Sequence, residues 1–247
     1  MEHKRGQVAT FVSLGLVLLF LAGIIFYEYQ TKAARTSLGD GTAVDVKSVT
    51  NFVNLCLQEK SEGALIEVVG KGGYVTLPAY STERLSDNLP YFLYQGSVFI
   101  PTIEKVQENV GLGVEKRLGD CLNFSRFQGV EISVDGSPNV VVLFNPDEAQ
   151  FTLHQTIKIK SEQSETTLES FTATIPTVFL GMYGHAKKIV ETHKNSGEYA
   201  CLSCLRELNE WNSFKTKTGM TPEGFLYALE EDKKGNDKGI IFRFAVK

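Results

Sequence analysis

From Val8 to Tyr27 the chain reads VATFVSLGLVLLFLAGIIFY, without one charged residue and with only Thr10 and Ser13 as mildly polar members. A helix of that length at ~1.5 Å per residue is about 30 Å long, the thickness of a bilayer core. Buried helices of soluble cores are usually shorter and keep a polar stripe. Gly15 and Gly23 suit a membrane helix, because small residues let such helices pack closely. Helical character is expected to continue to about Arg35, and Ser37-Leu-Gly-Asp-Gly41 to break it.

Beyond the break the period changes twice. Asp45 to about Val69 reads as an amphipathic helix, with Val46, Val49, Val53 and Cys56 on one face and Gly70 and Gly72-Gly73 to end it. Gly73 to Pro78 reads as a short strand, and Tyr91 to Gln95 as another. Thr102 caps a second helix, running to about Phe124, on which Ile103, Val106, Val110, Val114, Leu118 and Cys121 form a stripe. Gly111 and Gly113 weaken that helix, each by up to about 1 kcal/mol against Ala. From residue 129 the alternation is two. Val130 to Val134, Val140 to Phe144, Phe151 to Ile159 and Phe171 to Ile175 read as four antiparallel strands with one wet face, the first two joined by a turn at Asp135-Gly-Ser-Pro138. Pro176 suits the first turn of a helix to about Lys194, with Phe179, Met182, Ala186, Ile189 and His193 inward. A further helix is expected from about Tyr199 to Lys215. Strands near Gly224–Glu230 and Gly239–Val246 then make a hairpin that could extend the sheet. The predicted fold class is α+β: an N-terminal transmembrane helix, then a head of amphipathic helices packed on an antiparallel β-meander.

Composition changes this picture little. The 247 residues carry a net charge of −4, and setting aside residues 1–27 leaves 23 Lys+Arg and 28 Asp+Glu. That balance gives no electrostatic reason to expect nucleic acid as a partner. The flanks of the apolar run matter more. Met1 to Gly6 holds Lys4 and Arg5 against Glu2, which favours a cytoplasmic N-terminus and an outward C-terminal part. A cleavable secretory signal requires a shorter apolar stretch and a small-x-small site close behind it.

The junction Lys4-Arg5-Gly6-Gln7, directly before the apolar run, resembles the N-terminus of archaeal type IV pilin-like precursors with class III signal peptides. The resemblance covers about residues 3 to 27. It implies a leader of residues 1–6, cut by a leader peptidase between Gly6 and Gln7, a pilin-like helix over 7–35, and an extracytoplasmic domain over 42–247. Many such proteins carry Glu as the fifth mature residue; here that position is Phe11, as in archaellin-type subunits, which also lack the Glu. The helix would first contact membrane lipid. It would then assemble with identical helices in a filament core through Val8, Phe11, Val12, Leu14, Leu16, Leu18, Leu19, Ile24 and Ile25. The expected product is a single-pass cell-surface protein and homo-oligomer. The alternative is an anchored extracellular binding module that does not polymerise.

Four cysteines, Cys56, Cys121, Cys201 and Cys204, permit two disulfides in three pairings. Cys56 and Cys121 each lie on an apolar helix stripe, which favours joining them and leaves Cys201 with Cys204. Cys201-Leu-Ser-Cys204 has redox-motif spacing but lacks the strand context of that motif, and a metal site with His185 and His193 fits no common spacing. The sequence holds no nucleophile elbow, phosphate loop or His-Glu-x-x-His, so neither catalytic residues nor a cofactor are expected. Asn123-Phe124-Ser125 is the sole Asn-x-Ser/Thr triplet without proline, a glycosylation acceptor if the domain lies outside the cell.

Overall fold

The computed structural model describes residues 46–82, 88–161, 164–196, 213–222, 224–232 and 239–247. The apolar segment with its leader, Cys201 and Cys204 lie outside them. Among the described residues no helix is long and apolar enough to cross a membrane.

Among the described residues three α-helices and eight strands make an α+β head: α1 (Val46–Gly70), β1 (Tyr91–Tyr94), β2 (Ser97–Val98), α2 (Ile103–Leu118), β3 (Glu131–Phe144), β4 (Glu148–Lys160), β5 (Glu165–Pro176), α3 (Phe179–Ser196), β6 (Phe214–Thr221), β7 (Gly224–Glu231) and β8 (Ile241–Val246). The strands form two sheets, an antiparallel one in the order β3-β4-β5 and a mixed one in the order β2-β1-β8-β7-β6.

Both amphipathic helices bury the middle of the stripes that their spacing predicts, while Val46, Ile103 and Cys121 are half-buried. Helix α2 ends at Leu118 rather than near Phe124, because the chain turns at Gly119 and starts a separate 3₁₀ turn at Phe124. Val49, Val53, Leu57, Ala64 and Leu65 of α1, and Val106, Val110 and Val114 of α2, are wholly removed from solvent. The Thr102 side chain accepts a hydrogen bond from the Lys105 N–H and so caps α2. Of the two glycines that weaken α2 locally, Gly111 is required by its packing and Gly113 sits at a close helix contact. A Cβ at Gly111 would stand 2.5 Å from the Val140 carbonyl oxygen, and one at Gly113 3.3 Å from the Ala64 Cβ, so α2 lies directly on β3 and on α1.

The antiparallel sheet has three strands rather than four. Asp135-Gly-Ser-Pro138 is a bulge inside one long strand, where five residues of β3, Asp135 to Asn139, lie opposite three of β4, Thr156 to His154. The buried Gln155 side chain fills the bulge and donates to the carbonyls of Asp135 (2.7 Å) and Gly136 (3.2 Å). That satisfies backbone acceptors which a hairpin turn would have left to solvent. Pro176 ends β5 instead of opening a helix, and α3 begins at Phe179.

The terminal hairpin β7–β8 forms as expected, but it does not extend the meander. It joins β1 through a parallel pairing, Tyr91 opposite Ala245. The expected helix up to Lys215 lies mostly outside the described residues, but its last two, Phe214 and Lys215, belong to the edge strand β6. Tyr74 to Pro78 is irregular and pairs with no strand among the described residues. Here Gly72 and Gly73 turn the chain with φ of 68° and 87°, and the Asn109 amide donates to the Gly73 carbonyl at 2.8 Å. Phe179 of α3 links the core regions of the two sheets, with its ring 4.7 Å from Phe144 and 5.2 Å from Phe242 between centroids.

Candidate functional site

The α1–α2 pair carries the first cluster of predicted residues. Cys56 lies on the inner face of α1 and Cys121 just past the end of α2. Their Cα atoms are 5.8 Å apart and the two are joined as a disulfide. Packing of the stripes achieves this: Gly113 and Ala64 set the helix separation, and the bond closes the pair at one end. Toward the other end of α1, Glu67 accepts from Lys71 at 2.7 Å and is also bonded to Arg117 of α2. The Lys71 hydrogen bond and then the Arg117 charge hold the Glu67 carboxyl below its ordinary range.

Immediately after Cys121 the chain makes a short 3₁₀ turn, Phe124–Arg126, capped by the Asn123 side-chain oxygen, which accepts from the Ser125 N–H at 3.0 Å. Phe124 and Phe127 both pack edge-on against Phe52 of α1, at 5.6 and 5.4 Å. The Arg126 guanidinium lies over the Phe52 ring at 5.2 Å. The turn is thereby tied to α1 by three rings as well as by the adjacent disulfide.

The second cluster is on α3. His185 and His193 are both buried but separated by two turns of helix, so each meets its own partner. His185 Nε2 lies 3.2 Å from the Thr216 hydroxyl of β6, and its ring stands edge-on to Phe214. Burial, aided by the Lys188 charge, pushes its pKa down to about 4. His193 Nε2 lies 2.5 Å from the Tyr227 hydroxyl of β7. Burial lowers the His193 pKa and raises that of Tyr227, so at neutral pH the pair is an uncharged imidazole bonded to an intact phenol. His193 also borders a cleft of about 460 Å³ whose walls include Lys194, Met220, Phe225, Val246 and Lys247. A second cleft, of about 530 Å³, is lined by Glu62, Asp147, Thr177, Glu231 and Asp232 among others.

The expected residues divide accordingly. Cys56 and Cys121 come together, and Asn123 is exposed beside them. Gly6, Gln7, the assembly positions from Val8 to Ile25, and Cys201 with Cys204 lie outside the described residues. His185 and His193 point to different partners, and among the described residues no three His, Cys, Asp or Glu side chains are grouped as metal ligands. Sequence spacing does not single out the partners Thr216 and Tyr227. The one available signal was that Tyr227 falls on the inward parity of its strand, with Leu229. In comparisons with known proteins, no family model, curated protein or solved structure matches the chain.

Proposed function

We propose that the chain is a membrane-anchored cell-surface protein of the archaeal type IV pilin-like kind, a filament subunit processed after a short basic leader. The observation that carries the reading is the uncharged run Val8–Tyr27 placed directly after Lys4-Arg5-Gly6-Gln7. Twenty apolar residues match a bilayer, and a cut before the run, rather than behind it, leaves the helix on the mature protein. After release from lipid the helices would bury one another in a filament core, because they satisfy their backbone bonds internally and gain by leaving water. The Cys56–Cys121 disulfide supports an outward head, since such bonds persist in oxidising compartments. In this reading the partners are membrane lipid, a leader peptidase and further copies of the chain; no nucleic acid, metal or cofactor is involved, and the head works by contact rather than catalysis. Joining a long N-terminal helix to an α+β head is an analogy of architecture with pilins, and weighs less than the junction.

Mass spectrometry of the mature N-terminus tests it. A chain beginning at Gln7 is expected. One beginning at Met1 ends the pilin route and leaves an anchored module that does not polymerise. Leu16→Glu and Leu19→Glu are expected to abolish filaments, and normal filaments from both would overturn the assembly role of that helix.

A further inference from the structure

We propose that Asn123 is a glycosylation site and carries an N-linked glycan on the mature protein. The proposal rests on the outward placement of the head. Asn123-Phe124-Ser125 is the chain's single acceptor triplet, and both Asn123 and Ser125 are exposed. What the structure adds is the division of labour between the two ends of the amide. Oδ1 accepts from the Ser125 N–H at 3.0 Å and caps the turn, whereas Nδ2 has no hydrogen-bond partner among the described residues. The atom that would be modified is therefore the one the fold does not use.

The chemistry leaves the fold intact. Nδ2 attacks the anomeric carbon of a polyprenyl-phosphate-linked sugar. The new C–N bond replaces one N–H, the sugar–phosphate bond breaks, and the amide proton leaves with the phosphate. Oδ1 keeps its lone pairs, so the cap on Ser125 persists in the product. The platform is also fixed: Phe124 and Phe127 on either side of Ser125-Arg126 pack on Phe52, and Cys121 is held in its disulfide. A glycan here would shield the turn beside the disulfide without displacing any buried group.

The geometry supplies a clean variant. The Ser125 hydroxyl makes no hydrogen bond within the described residues, and the cap uses only its backbone N–H. Ser125→Ala therefore removes the acceptor triplet and keeps the turn, and Ser125→Thr keeps both. The test is mass spectrometry of the reduced tryptic peptide Leu118–Arg126 from full-length protein taken from the membranes of its host, with an amine reagent that cannot cross membranes applied to intact cells beforehand. The expected result is a peptide heavier by a glycan on Asn123 in wild type and Ser125→Thr. In Ser125→Ala it has its bare mass, with the Cys56–Cys121 bond retained in an unreduced digest. A bare wild-type peptide from protein whose exposed Lys105 and Lys160 are labelled overturns this proposal alone. A bare peptide from unlabelled protein overturns it together with the outward placement. A glycan that persists in Ser125→Ala overturns the triplet as its cause.

Discussion

The helices α1 and α2 with the antiparallel sheet, and the helix α3 with the mixed sheet, reach similar burial by different means. The first region is mainly aliphatic, with Val49, Val53, Leu57, Val110 and Val114 wholly buried, and it is clamped by a covalent bond and by glycine-mediated close approach. The second has no disulfide among its described residues. Its core is aromatic, with Phe92 stacked on Phe244 at 4.6 Å and Tyr227 at 5.3 Å from the same ring, and it encloses two neutral histidines. One region therefore depends on redox state and the other on proton concentration.

The largest expected effect follows from the clamp. The Cys56–Cys121 bond links positions 65 residues apart, which by the chain-entropy estimate contributes about 4 kcal/mol. Replacing both cysteines by alanine is expected to lower the free energy of denaturant unfolding by roughly that amount. Reductant is then expected to lower the unfolding midpoint of wild type far more than that of the double variant. A double variant as stable as wild type would show that the clamp is not what holds this half.

Acid is expected to act on the other half first. The folded-state pKa of His185 is depressed from 6.5 to about 4, so the unfolded chain binds a proton more readily across that window. Stability is fully present above pH 6.5 and is lost as pH falls toward 4; at ~1.4 kcal/mol per unit the loss is at most about 3.5 kcal/mol. His193, lowered by burial, adds in the same direction. Glu67 in the clamped half, with its pKa lowered from 4.5, begins to lose its contribution only below that value. Unfolding curves between pH 7 and 5 should thus shift in wild type and flatten in His185→Gln. Equal slopes in the two proteins would remove His185 as the cause.

The same contrast explains what was legible beforehand. The clamped half is built from local periodicity. The stripes of α1 and α2 are written in steps of three and four, and once both are in place Cys56 and Cys121 meet. The mixed sheet is built on a pairing with no local signal, since β1 near residue 91 lies parallel to β8 near residue 245. β6 went unread because only Phe214 of its eight residues is buried, so Lys215 to Met220 shows no apolar alternation. The bulge at Asp135-Gly-Ser-Pro138 has the residues of a hairpin turn, and what makes it a bulge is Gln155, on a strand not yet placed when the turn is read. Asn123 was legible as a triplet, while the free Nδ2 that makes it usable depends on its cap.

A smaller effect separates two glycines of one helix. In an exposed helix Gly→Ala gains up to about 1 kcal/mol. At Gly111 the added Cβ would meet the Val140 carbonyl oxygen at 2.5 Å, a backbone atom of β3 that cannot step aside alone. Gly111→Ala is expected to cost about 1–3 kcal/mol, the range of overpacking. At Gly113 the nearest atoms are side-chain carbons of Ala64 and Val68 at 3.3 and 3.4 Å, so Gly113→Ala is expected to be close to neutral. Thermal midpoints of the two variants check this, and equal midpoints would show that α2 does not rest on β3 as closely as described.

The smallest effects come from deleting one hydroxyl in each half, and they should differ in sign. Ser61 of α1 is wholly buried, and its Oγ has no hydrogen-bond partner among the described residues. Its desolvation is uncompensated, so Ser61→Ala is expected to stabilise by about 1 kcal/mol, helped by the better helix propensity of alanine. The Tyr227 hydroxyl is the partner of His193 Nε2 at 2.5 Å. Tyr227→Phe strands a buried imidazole nitrogen and is expected to destabilise by about 1–2 kcal/mol. Denaturant unfolding at pH 7.5, where both histidines are neutral in either state, isolates the hydrogen bond from the acid effect. Losses of equal size from both variants would mean that Ser61 finds a partner, and that the two halves do not differ in how they satisfy buried polar groups.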